Sequence, residues 1–386
     1  MAPFTRLLLI LLFLAYVPAQ AAQLPADEAP DPGAGAEAAR LMEASFADAA
    51  AQPAAAQVAA SDRRLAALDR DARALGAPDA AAIEALDRAY TAELRARDAV
   101  LRGVTRLLGP AGGPVASGTV VSLEHPIFEP ATVKLGMRDP QAFLAAAGGG
   151  VYLLRPFEPD LTVVLVVHGM NGCPRDFREI IGALDPARYQ VWVAYYPSGE
   201  PIDAAAKLVG NAAAALLARY PPKQMAVITH SLGGLVWRAR ALPGADAGAA
   251  ATDPHVQAIY TLCGFHQGVH FMPLPAVRLA CHILYRFLPP YIDDILQGSA
   301  FLDRLAQAPP PPGVRRTAGG FGHNHLWYRT LIGSFIPGPD DGLVPLSSTD
   351  WPGAVEHRTY DQDHVTMLEA PAVLAQLKAW LALDLH

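Results

Sequence analysis

The sequence predicts an α/β architecture: a mostly parallel sheet flanked by helices, with a helical cap and a preceding helical hairpin. Three observations predict it. Residues 161–167, Leu-Thr-Val-Val-Leu-Val-Val, form the near-continuous apolar run of a strand buried on both faces. Helix-like and strand-like segments then alternate as far as residue 262, as crossover connections between parallel strands require. The segment 264–330 is longer than a connector needs and rich in large apolar side chains.

The chain begins with a secretory pattern. Arg6 supplies a positive start, residues 7–17 are unbroken apolar, and Pro18-Ala19-Gln20-Ala21 offers small residues for cleavage after Ala21. That run falls short of the roughly 20 residues a spanning helix needs, and no later run approaches it, so no transmembrane span is expected once 1–21 is removed. Pro18 and the Ala-x-Ala pattern argue against an uncleaved anchor. The expectation is export, to the periplasm or beyond. Residues 22–60 read as a flexible or weakly helical leader rich in Ala and Pro.

From residue 61 to 110 the spacing is helical. Leu65, Leu68, Ala72 and Leu75 recur on one face, Gly76 and Pro78 stop the helix, and Asp79 can cap a second. That second helix carries Ile83, Leu86, Tyr90, Leu94, Leu101, Val104 and Leu108 before Gly109-Pro110. The hairpin's apolar stripe needs a covering surface. The domain that follows is the expected one, with dimerisation or transient membrane-surface contact as the sharper alternative.

That domain spans 115–386. Its expected strands are 119–123, 150–154, 161–167, 190–195, 225–229, 256–262 and 356–360. Helices are expected at 175–184, 202–220, 231–242 and the C-terminus. Ligand-binding groups in such sheets gather beyond the carboxyl ends of the strands.

Composition narrows the function. The chain has 386 residues, 52% of them apolar, and a formal charge of −7. Without a basic block it lacks the footprint of nucleic-acid binding. Cys173, Cys263 and Cys281 are too few for a disulfide framework and lack the paired spacing of a zinc site. In an oxidising compartment they give either one disulfide, Cys263–Cys281 by preference, or three buried thiols.

Chemistry concentrates where strands end. Thr229-His230-Ser231-Leu232-Gly233-Gly234 follows the 225–229 strand and opens into a helix. A serine there sits on a sharp strand-to-helix turn with its hydroxyl thrust outward, beside a helix N-terminus that favours developing negative charge. Thr229 departs from the G-x-S-x-G pattern. A serine needs a base oriented by an acid. Asp341, in Asp340-Asp341-Gly342-Leu343-Val344-Pro345, and His364, in Asp361-Gln362-Asp363-His364-Val365, follow in the order Ser, acid, His. His168-Gly169-Met170-Asn171-Gly172 closes the 161–167 strand, and the Met170 and Leu232 amides are the expected oxyanion donors. His168 is expected to order that loop rather than act as base.

With these motifs the chain from about residue 150 onward resembles the α/β-hydrolase superfamily, and within it exported bacterial lipase- and esterase-like serine hydrolases. Tyr195-Tyr196-Pro197-Ser198-Gly199 belongs to the same resemblance. It implies an α/β-hydrolase fold with Ser231 as nucleophile, Asp341 as acid, His364 as base, and Met170 and Leu232 as oxyanion amides. Cys263-Gly264-Phe265-His266-Gln267-Gly268 departs from relatives, which often carry Thr-Pro and paired glycines there.

In this fold an insertion such as 264–330 caps the serine, and its apolar side chains point to a small acyl ester or lipid-like substrate. Pro309–Pro312 reads as a stiff spacer within it. His323 and His325 have no nearby carboxylates, so neither metal nor cofactor is expected. Carboxylic-ester hydrolysis through an acyl-serine is the expected activity. Acyl transfer by the same relay, or partner binding on a hydrolase scaffold without catalysis, are its alternatives.

Overall fold

A computed structural model describes residues 52–74, 80–108, 114–242, 253–269, 291–309, 311, 313–322, 336 and 338–385. The signal segment, most of the leader, Cys281, His323 and His325 lie outside these residues. The described chain forms a helical hairpin and a larger domain from residue 114. Among the described residues no helix is long and apolar enough to cross a membrane.

The hairpin pairs α1 (Gln52–Ala74) with α2 (Ala80–Leu108). Helix α1 starts inside the sequence-defined leader, where Pro53 and an alanine run suit a first helical turn. Leu65, Leu86, Tyr90 and Leu94 are buried between the helices, with Leu68, Ala72 and Ile83 packed around them, so the i, i+3, i+4 stripe is spent at least partly on the hairpin's own core. Arg64 grips Glu93 through two bonds of 2.7 and 2.8 Å, and Tyr90 donates to Asp69. The exposed pair adds little stability; the four buried side chains hold the hairpin.

The larger domain opens with α3 (Pro130–Arg138) and α4 (Pro140–Ala147), which the sequence reading passed over. Asp139 marks the break between them: its side chain accepts the Ala142 amide at 3.0 Å, and Pro140 is the first residue of α4. There follow β1 (Gly150–Leu153), β2 (Thr162–Val167), α5 (Arg178–Ala183), β3 (Tyr189–Tyr195), α6 (Ile202–Arg219), β4 (Met225–His230), α7 (Leu232–Ala239), β5 (Val256–Leu262), α8 (Ala300–Gln307), β6 (Val314–Gly320), β7 (Glu356–Tyr360) and α9 (Pro371–Asp384).

These strands form one seven-stranded sheet in the order β1-β3-β2-β4-β5-β6-β7. Only β1 runs antiparallel, against β3; every other pairing is parallel. The carboxyl ends of the parallel strands therefore share one edge, and the loops that leave it build the site.

Two expectations need correction. Residues 119–123 do not form a strand: Val120 makes one isolated bridge to Leu153, because the chain turns at once into the Pro126–Phe128 helical turn. Val314–Gly320, taken with the cap, is strand β6, with β5 on one side and β7 on the other. Its two arginines disguised it. Arg316 is held by Asp384 at 2.7 and 2.8 Å and by Glu356 at 2.7 Å. Tyr260 and Trp380 also donate to those acids, at 3.0 and 2.8 Å. The charge thus fastens α9 to β5, β6 and β7 instead of facing solvent. Cys173 and Cys263 are buried and free among the described residues, and the Cys263–Cys281 pairing lies outside them with Cys281.

The burial of its histidines predicts that this domain loses stability in acid. His266 stacks on Trp351 at 4.7 Å, and neither ring nitrogen has a hydrogen-bond partner among the described residues. Burial, then the Arg238 and His357 charges, push its pKa down to about 3. An unfolded histidine takes its proton near pH 6.5. Between those values the unfolded chain binds more protons, so stability falls as pH drops, by up to about 1.4 kcal/mol per pH unit for this one group. His266→Phe keeps the stack and removes the proton. Its melting temperature is expected to fall less steeply than the wild type's between pH 7 and 4.5; parallel curves in thermal melts would refute this.

Candidate active site

The nucleophile position is a product of local sterics. Ser231 joins β4 to α7 at φ 54°, ψ −126°, a strained conformation for a residue with a side chain. Its amide donates to the Leu262 carbonyl at 3.0 Å, tying the turn to the end of β5. Helix α7 can leave at this angle only because Gly233 has no side chain: a Cβ there would lie 2.4 Å from the Val167 carbonyl oxygen and 2.6 Å from that of His168. Gly169 faces the serine in the same way, since its Cβ would lie 2.8 Å from Cβ of Ser231. Thr229, the departure from the usual glycine, is wholly buried opposite Val167 and Thr261, and its hydroxyl lacks a partner among the described residues.

The three residues expected to act together meet, although 133 and 23 positions of sequence separate them. Ser231 Oγ lies 2.9 Å from His364 Nε2, and His364 Nδ1 lies 2.7 Å from Asp341 Oδ2. The other carboxylate oxygen of Asp341 accepts the Leu343 and Val344 amides at 3.0 and 2.7 Å. Burial alone would raise the Asp341 pKa, but the His364 charge and hydrogen bond, with those two amides, outweigh it and hold the carboxyl below its ordinary value. It stays ionised. Its neighbour Asp340 instead shapes the turn, accepting the Gly342 amide at 2.7 Å.

His230 is part of the Thr229–Gly234 motif in the sequence, but that pattern assigns it no role of its own. Its Nε2–H donates to the His364 carbonyl at 2.9 Å, clamping the histidine loop to the end of β4. Burial, then the His364 charge, push its pKa down to about 3, so it stays neutral and keeps that donor. No spacing rule announces such a contact, because it spans 134 residues.

The loop after β2 is held from β3. His168 is buried, stacks on Tyr196 at 4.2 Å, donates from Nδ1 to the Gly169 carbonyl at 2.8 Å and accepts the Tyr196 amide on Nε2 at 3.3 Å. Tyr196 Oη donates to the His168 carbonyl at 2.6 Å. Desolvation holds the imidazole pKa down at about 4, so His168 orders this loop as a neutral ring. Ser198 Oγ accepts the amide of Asn171, whose φ of 51° suits an asparagine. Gly172 N–H bonds back to the Gly169 carbonyl at 3.3 Å. The Met170 N–H in this turn makes no hydrogen bond among the described residues. Leu232, the first residue of α7, likewise has an amide that the helix itself cannot satisfy. These are the two amides expected to serve as oxyanion donors.

A cleft of about 530 Å³ lies against Ser231 and His364. Met170, Leu343, Val365 and Leu368 give it apolar wall, while Arg178 and Glu369 stand on a charged one. Residues 270–290, 310, 312 and 323–330 of the cap segment lie outside the described residues. Among the described residues, Cys263, Asp341 and His364 bring possible metal-ligating atoms within 4.8 Å of one another. The relay already binds two of them together, and burial, then Asp341, push the Cys263 thiol well above its ordinary pKa.

No protein-family model matches the chain, and no curated protein matches it by sequence. Among solved structures it is similar to a Bacillus licheniformis lipase in mature form, at 16% identity over 60% of this chain and 97% of that one, TM-score 0.49. It is also similar to a lipase-esterase related protein from Clostridium acetobutylicum, at 15% identity over 59% and 98%, TM-score 0.33. A carboxylesterase structure from Nitrososphaera gargenis aligns at 14% identity over 61% and 94%, TM-score 0.36. Strand order, the antiparallel first strand and the strained serine after β4 are features of this chain's own backbone, and by them the domain from residue 114 has the α/β-hydrolase fold.

Proposed function

We propose that this chain is an exported serine hydrolase that cleaves carboxylic esters through an acyl-Ser231 intermediate. The observation that carries the reading is the continuous Ser231–His364–Asp341 hydrogen-bonded relay at the wall of a cleft. His364 Nε2 takes the hydroxyl proton as Oγ attacks the ester carbonyl. The resulting oxyanion accepts hydrogen bonds from the Met170 and Leu232 amides, and ionised Asp341 steadies the imidazolium. His364 then gives the proton to the departing alcohol. Water, deprotonated by the same nitrogen, releases the acid and restores Ser231.

A p-nitrophenyl ester series of rising chain length, assayed on the chain from residue 22 onward, tests this reading. Hydrolysis of short and medium esters is expected, together with covalent labelling by a fluorophosphonate that vanishes in His364→Ala. Labelling that persists in that variant, or no ester cleavage at any length, would defeat the reading. Ester products that accumulate when an alcohol acceptor is added would mark acyl transfer instead.

A further inference from the structure

Three non-glycine residues among those described adopt positive φ: Asn171, Ser231 and Cys263. The first two belong to the site just described. Strain of this kind persists only where the surroundings hold it in place, and it clusters at functional positions. Cys263 is the first residue past β5, at φ 49°, and its amide is fixed to the Ala318 carbonyl at 2.8 Å. The sequence offered it as a disulfide partner or a buried thiol, and among the described residues it is free and wholly buried.

Its sulfur lies within 4.8 Å of both an Asp341 carboxylate oxygen and a His364 ring nitrogen. Burial, then the neighbouring Asp341 carboxylate, hold the thiol protonated, while the nearby Gly320 backbone works the other way by favouring negative charge on the sulfur. A carboxylate can only accept, so a protonated thiol enclosed beside it has its S–H to offer. His364 donates to this carboxylate at 2.7 Å, and the Cys263 thiol, within 4.8 Å of it, is placed to be a second side-chain donor.

We infer that Cys263 is a positioning residue of the relay: its thiol fixes the Asp341 carboxylate in the orientation that presents Oδ2 to His364. The thiol itself is no nucleophile, being fully enclosed and held protonated beside an anion. It acts through Asp341 in two ways. It restrains carboxylate rotation, and it shares the negative charge that would otherwise fall wholly on the imidazolium.

The inference rests on the reading of Ser231, His364 and Asp341 as the working relay, and its test separates the two. Steady-state kinetics with p-nitrophenyl butyrate across pH 5–9 compare Cys263→Ala and Cys263→Ser with wild type and Ser231→Ala. Loss of the donor in Cys263→Ala is expected to lower kcat about tenfold with KM within about twofold, since a weak donor to a charged group is removed. The unshared carboxylate then holds the imidazolium more tightly, so the acidic limb of kcat/KM moves to higher pH. Cys263→Ser restores a donor stronger than a thiol: kcat is expected within about threefold of wild type, with the limb moved to lower pH. Opposite shifts are something a packing role would not produce. If Ser231→Ala abolishes turnover but both Cys263 variants keep the wild-type limb, or shift it alike, the positioning role is overturned while the relay stands. If Ser231→Ala keeps wild-type turnover, the relay reading itself has failed. Should Cys263→Ala not fold, the limb of Cys263→Ser alone decides.

Discussion

Ser231→Ala is expected to lower turnover of p-nitrophenyl esters by about three orders of magnitude or more while the domain stays folded. The loss is large because Oγ is the atom to which His364 Nε2 is aimed, at 2.9 Å, and no other hydroxyl shares that bond. What survives is the contribution of the amides and the cleft, which bind and polarise an ester without attacking it. Stability offers an independent check. Ser231 sits at φ 54°, ψ −126°, a region that costs any residue with a Cβ of order 1–3 kcal/mol. Ser231→Gly should lose as much activity as Ser231→Ala yet melt higher, because glycine relieves that strain. Thermal melts beside single-turnover kinetics measure both. Near-normal turnover in either variant would remove Ser231 from the mechanism, and equal melting temperatures would remove the strain argument alone.

Much of this site could be read from the sequence, and what could not had a physical reason. Strands β2 and β4 are buried on both sides, so each carries an unbroken apolar run, Val163–Val167 and Met225–Ile228, and that run exposes them. Ser231, Asp341 and His364 each follow a strand or tight turn with its own local signature. Strand β6, by contrast, reads Val-Arg-Arg-Thr-Ala-Gly-Gly. Its arginine at 316 makes sense only with Asp384 and Glu356, 68 and 40 residues away. Its closing glycines make sense only once Thr349 and Gln362 crowd them: a Cβ on Gly319 would meet Thr349 Oγ1 at 2.2 Å, and one on Gly320 the Gln362 carbonyl at 2.4 Å. His230 and Cys263 share the same cause. Both act through contacts made only when distant loops converge, so no local pattern singles them out.

Asp341→Asn is expected to reduce kcat by about four orders of magnitude, the scale seen when a relay carboxylate is replaced by its amide. The direction follows from the bonds around the carboxylate. Oδ1 accepts two amides, from Leu343 and Val344, at 3.0 and 2.7 Å. In the variant that place can be filled only by the amide oxygen, because an NH2 group there would face two donors. The NH2 is therefore forced onto the Oδ2 side, 2.7 Å from His364 Nδ1. It donates, so Nδ1 must become the acceptor and the ring proton moves to Nε2, the nitrogen that faces Ser231. The base then meets the serine with a proton where it needs a lone pair. The shape of the site is kept and its chemistry is inverted, so binding should change little: kcat collapses, KM stays within a few-fold, and fluorophosphonate labelling slows in step with kcat. Asp341→Ala lacks the misdirecting NH2 and leaves the imidazole tautomer free. Its kcat should therefore exceed that of Asp341→Asn if tautomer control outweighs the loss of orientation, and fall below it if holding the ring is the larger part. Turnover within tenfold of wild type in Asp341→Asn would pass the acid's role to another carboxylate. Asp363 is the nearest rival by sequence, but its Oδ1 already accepts the Val365 and Thr366 amides at 2.9 Å each, an engagement that shapes the histidine loop.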